Sequence, residues 1–138
     1  MTLELAVDSV ATARAAIPFA DRIELCIDLG SHGRTPTPEL IAAVRNAIDA
    51  ERPIGGAPEL VVLVRPTPSL VVEGEGVDRM VEEVRASVAS GADAVAVGVL
   101  DADGRVDVAA CRRLGSAAGS RSLVFHRAFD FAADAGES

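Results

Sequence analysis

The sequence predicts an α/β fold of about five parallel strands and four helices, laid out as part of a (βα)8 barrel. Three observations carry that expectation. Short strand-prone segments alternate with segments of helical period along the chain, the pattern of strands joined by helical crossovers. The run "ELVVLVRP" (59–66) is almost continuously apolar, as suits a parallel strand covered on both faces. Charged side chains nevertheless recur inside the strands: Glu4, Glu24, Arg65, His126 and Arg127.

The elements follow in order. "LELAVDS" (3–9) alternates apolar and polar residues and reads as the first strand. "VATARAAIPFA" is a short Ala-rich helix ending near Pro18 and Phe19, and "DRIELCIDL" (21–29) is the second strand. "GSHGRTPT" is a loop, its glycines and prolines breaking both periods. Thr37 is placed to cap the next helix, with Pro38 at its first position and Glu39 in its first turn. There Leu40, Ile41, Val44 and Ile48 form one stripe. The third strand, 59–66, is followed by the loop "TPSLVVEGEG" and by "VDRMVEEVRASVAS", a helix with Val77, Met80, Val81, Val84 and Val88 inward and Gly91 at its C-cap. "DAVAVGVL" (93–100) is the fourth strand, and Asp107 caps the fourth helix. "SLVFHRAFD" (122–130) is the fifth strand, and "FAADAGES" is a polar tail.

Two architectures share this order. A flavodoxin-like, doubly wound sheet of five strands closes at about this length, whereas a (βα)8 barrel takes about 250 residues. The in-strand charges favour the barrel. Its inner wall lets acids and bases from successive strands meet, whereas a flat sheet covered on both faces would bury Glu4 and Glu24 at high cost.

At 138 residues the chain is expected to be a single domain, 1–138. Its net charge of −8, with 21 acidic residues against 13 Lys and Arg, leaves no basic footprint for nucleic acid. No apolar window is long enough for a membrane span, and the N-terminal segment lacks the basic start of a signal peptide, so cytoplasmic residence is expected. Cys26 and Cys111 belong to no CxxC pair and are expected to be reduced thiols. With no Trp or Tyr and four Phe, the core must be aliphatic.

The segments "VDS", "ADRIELC", "GRTPTPEL", "LVRP", "GVLDADGRVD" and "FHRAFD" stand in an order that resembles the CutC family. Its members are described as copper homeostasis proteins with a TIM-barrel fold. The resemblance spans residues 3 to 131 and implies the N-terminal half to two-thirds of such a barrel, since "FHRAFD" closes the fifth strand of eight. It also implies copper, as Cu(I), for the cofactor. Two departures stand out. Ala6 occupies a position where the family usually carries a cysteine proposed to bind copper. After Arg65 and Pro66 the family's Arg-Gly-Gly-Asp is replaced by "TPSLVVEGEG".

Cys26 is the candidate soft metal ligand; the alternative is a small buried hydrophobe. Glu24, Arg65 and His126 are candidate catalytic residues at the strand ends, where barrel enzymes keep their chemistry. Arg127 and Asp130 are candidates for holding a ligand; for Arg127 the alternative is the counter-ion of the interior glutamates. Adjacent strand residues face opposite ways, so only one of His126 and Arg127 should face the interior directly. "DADGRVD" has its glycine at the wrong place for a calcium loop, and no phosphate-binding glycine motif is present. Three functional expectations follow: copper binding, an enzyme acting on a small anionic ligand at the barrel mouth, or an inactive half barrel. Partners are expected to be a metal ion or small molecule, and further copies of the chain pairing through the exposed sheet edges.

Overall fold

The computed structural model describes residues 3–31, 33–51, 56–66, 75–97 and 107–125. Five strands, β1 (Glu4–Val7), β2 (Arg22–Leu25), β3 (Glu59–Leu63), β4 (Ala94–Val97) and β5 (Ser122–Phe125), form one sheet in the order β1-β2-β3-β4-β5. Every neighbouring pair is parallel. Between them run α1 (Val10–Ala16), α2 (Pro38–Glu51), α3 (Glu75–Ala89) and α4 (Val108–Ala118).

The strand order and the side taken by the helices decide between the two architectures. Val7, Leu25, Val62, Val95 and Leu123 lie in one register row, on the face that packs with the helices into one large core. The next row, Ala6, Glu24, Val61, Ala94 and Ser122, points the other way. That second face has its own small apolar cluster of Cys26, Val61, Leu63, Ala94 and Ala96, with Val124 against it and no helical member among the described residues. A doubly wound sheet would carry helices on both faces and reverse its strand order. Sequential strands with helices on one side are an arc of a (βα)8 barrel, and the helix-free side is its inner wall.

Local chemistry sets the ends of the elements. α1 starts in a capping box: Ser9 Oγ accepts from Thr12 N at 3.1 Å, and Thr12 Oγ1 accepts from Ser9 N at 3.1 Å. Thr37 caps α2 by accepting from Leu40 N at 3.2 Å, and Asp107 caps α4 by accepting from Ala110 N at 3.0 Å. The first three strands are shorter than the sequence suggests. β1 ends at Val7 because Asp8 and Ser9 already belong to the helix start. β2 ends at Leu25; past it, Ile27 pairs antiparallel with Arg34 and Leu29–Ser31 form a 3-10 turn.

α3 ends in a Schellman motif. Gly91 N donates to Val88 O, Ala92 N donates to Ser87 O, and Gly91 sits at φ +118°. The Arg45 side chain crosses this glycine, donating from Nη1 to Gly91 O at 3.3 Å and to Asp93 Oδ2 at 2.9 Å, and from Nη2 to Asp49 at 3.1 Å. A Cβ on Gly91 would lie 2.6 Å from Arg45 Cγ. Gly91→Ala is therefore expected to cost about 1–3 kcal/mol, from a left-handed backbone and a displaced Arg45, read as a lower urea midpoint with unchanged slope.

Candidate functional site

The inner wall carries a vertical order of charge. At the strands' N-terminal ends Glu4, Arg22 and Glu59 are register partners, and Arg22 reaches both carboxylates, Glu4 at 3.6 Å and Glu59 at 3.5 Å. All three side chains are about a third exposed or more, so the ladder orients charge rather than stabilising strongly. One layer up stands Glu24, half-buried between Ala6 and Val61. Above it comes Cys26, and Arg65 lies beyond Leu63 at the C-terminal end of β3. By strand alternation Glu4, Glu24, Cys26 and Arg65 therefore share the inner face, as the sequence leads one to expect.

Arg65 is only 8 % exposed. It is fixed by the connection between β2 and α2, which folds back over the inner wall. Arg65 Nη1 donates to Gly33 O at 3.1 Å. Arg65 N donates to Thr35 Oγ1 at 2.7 Å, and Thr35 N donates to Arg65 O at 3.2 Å. Arg34 Nη2 donates to Pro66 O at 2.6 Å. Ile27 and Arg34 exchange backbone hydrogen bonds at 2.9 and 2.7 Å, which closes the base of the loop. The loop can turn this tightly because Asp28 and Gly33 adopt left-handed backbone, at φ +52° and +87°.

Cys26 is 2 % exposed, and its sulfur faces the Val7 carbonyl at 3.8 Å. Burial, then the negative charges of Glu24, Asp8 and Asp28, push its thiol up to about 11. It is thus a protonated thiol at neutral pH. Cys111, on α4, packs on the helix side of the sheet, away from Cys26. His126, Arg127, Asp130 and Asp101, together with His32, lie outside the described residues, so the meeting of His126 with Glu24 and Arg65 stays an expectation.

Gly33, Arg34 and Thr35, in the connection between β2 and α2, stand in the sequence only as part of the loop and of the segment "GRTPTPEL", which mark a turn but not its target. Nor does the sequence mark a cleft of about 360 Å³ between the β2–α2 connection, the start of α2 and α3, with Arg34, Thr35, Pro66 and Arg79 among its lining.

Copper, which the resemblance implies, can be tested against these donors. Cu(I) is held by soft ligands, two or more of them. The inner wall offers one thiol, protonated and covered, and no group of three His, Cys, Asp or Glu among the described residues could hold a metal ion. The described residues do not fit the ion. No helix among them is long and apolar enough to cross a membrane.

Comparison with known proteins places these features. The model of the CutC family matches residues 1–138. A CutC family protein from Xanthomonas axonopodis pv. citri is 41% identical over 136 residues, covering 97% of this chain and 53% of its own length. One from Xylella fastidiosa is 39% identical over 138 residues, with 99% and 49% covered. The chain thus spans about half the length of the curated relatives it matches. Among solved structures, a CutC from Streptococcus agalactiae, provisionally assigned to copper homeostasis, superposes with a TM-score of 0.84 at 23% identity, covering 99% of this chain and 65% of that one. A rubisco-like protein from Burkholderia fungorum superposes with a TM-score of 0.62 at 15% identity over 91% of this chain and 30% of that one. Identities this low speak to the fold alone.

Proposed function

The chain belongs to the CutC family, and from that premise we propose that it forms the ligand-binding N-terminal arc of a CutC-type barrel, which takes a small anion at its mouth through Arg65. The supporting observation is the seat of that guanidinium. It is buried on the inner wall, at the C-terminal end of a strand, with its direction set by the Gly33 carbonyl. Barrel ligands bind at that end. A planar guanidinium suits a carboxylate or phosphate, and partial desolvation strengthens such a pair. Glu24, below it on the same wall, gives the site an acidic floor that favours ligands carrying a proton or positive group beside the anion.

Calorimetric titration with inorganic phosphate and with malonate tests this reading. The wild-type chain should bind at least one probe, and Arg65→Gln should weaken that binding by about tenfold or more, the loss of one charge-assisted contact. Equal binding by the two proteins would remove Arg65 from the site, and no binding of either probe by wild type would remove the site itself.

Copper binding is the second reading. It carries over to this chain the copper homeostasis assignment of the S. agalactiae relative, on which the fold superposes with a TM-score of 0.84. Capture of Cu(I) would draw its donors from outside the described residues, and no step is derived through the ion.

A further inference from the structure

We infer that the β2–α2 connection is a fastened strap that seals the Cys26 sulfur beneath Gly33, so that Cys26 packs the inner wall and does not capture copper. This disagrees with the role that the family resemblance suggests for Cys26, and it stands independently of the anion reading.

Cys26 is buried. Val61, Leu63, Ala94 and Ala96, all buried, form one apolar cluster with it on the inner face, toward β3 and β4. The strap lies over its sulfur. A Cβ built on Gly33 would stand 3.2 Å from Cys26 Sγ, 3.3 Å from Cys26 Cβ and 2.8 Å from Leu63 Cδ2. The Gly33 backbone therefore rests on the sulfur at a distance that only a glycine allows.

The strap is tied at several points. Gly33 N donates to Asp28 O at 2.9 Å, and Gly33 O accepts from Arg65. The Ile27–Arg34 and Thr35–Arg65 backbone pairs hold its two sides. A metal ion reaching the sulfur from the mouth would have to lift Gly33, and with it release the Arg65 contact. Each buried hydrogen bond left open on that route leaves a desolvated polar group without its partner, which opposes the opening. Nor does the wall beside Cys26 supply a second soft donor among the described residues, where its apolar cluster holds only aliphatic side chains besides Cys26 itself.

Two measurements on the chain test this. The first is Cu(I) affinity by competition with bicinchoninate under anaerobic, reducing conditions, for wild type, Cys26→Ser and Cys26→Ala. The three should agree within about twofold. The second is alkylation of native wild type by iodoacetamide with peptide mass mapping, which separates Cys26 from Cys111. Cys26 should react about a hundredfold more slowly than in urea, because reaction requires opening of the strap. A tenfold loss of Cu(I) affinity in Cys26→Ala at an unchanged unfolding midpoint would overturn the inference. So would native alkylation of Cys26 at the denatured rate, which needs no variant to fold. Failure of phosphate or malonate to bind would leave both results standing, so the two readings fall separately.

Discussion

Gly33→Ala is expected to lower stability by about 2–4 kcal/mol and to weaken anion binding beyond the stability loss. Two costs add. An L-residue at φ +87° carries backbone strain of about 1–3 kcal/mol. The new methyl would also press on Leu63 Cδ2 at 2.8 Å and on the Cys26 sulfur at 3.2 Å, inside a packed wall where overpacking costs a similar amount. The chain can relieve this only by lifting the strap, and the strap carries the carbonyl that directs Arg65. Binding and stability should therefore fall together. Gly30→Ala is the control. It lies in the same connection, but a Cβ there has nothing within 4 Å, so stability and binding should stay close to wild type. Urea midpoints and phosphate titrations of the two variants give the comparison. If Gly33→Ala bound as wild type at full stability, the strap would not position Arg65.

What the sequence made legible was periodicity and side-chain alternation. The apolar stripes of α2 and α3 are where the pattern places them: Ile41, Val44, Ile48, Val77, Met80, Val81 and Val84 are buried, while Leu40 and Val88 pack at the margin. Thr37, Asp107 and Gly91 cap as their chemistry predicts. The shared face of Glu24 and Cys26 follows from a spacing of two. Strand ends were less legible. Asp8 and Ser9 fit a strand's alternation yet serve a helix cap, and only the Ser9–Thr12 pairing decides between them. The strap was least legible, because its partner Arg65 lies some 30 residues away and nothing local encodes a long-range hydrogen bond. The same blindness applied to Cys26. Composition allowed both ligand and hydrophobe, and the choice between them depended on a glycine seven residues on folding back over the sulfur.

The two faces of the sheet should also differ in what they contribute to stability, and β3 permits the comparison at adjacent residues. Leu60 is fully buried on the helix side, within the large core, and its backbone amide and carbonyl both pair with Asp93 at 2.9 Å. Leu60→Ala should cost about 3–5 kcal/mol, because the helices and flanking strands hold that cavity open. Val61 is 2 % exposed but belongs to the small inner cluster. Val61→Ala removes less volume, from a wall lined by Ala94 and Ala96 and free of helices among the described residues, so about 1–2 kcal/mol is expected. Against a typical stability of about 5–15 kcal/mol the first loss is severe and the second tolerable. Urea unfolding of the two variants reads the difference directly. Equal losses would mean that the inner wall is packed as heavily as the outer one, in solution, by protein that the described arc does not supply. That outcome would bear on function, since a wall so covered would leave Arg65 no open mouth at which to meet an anion.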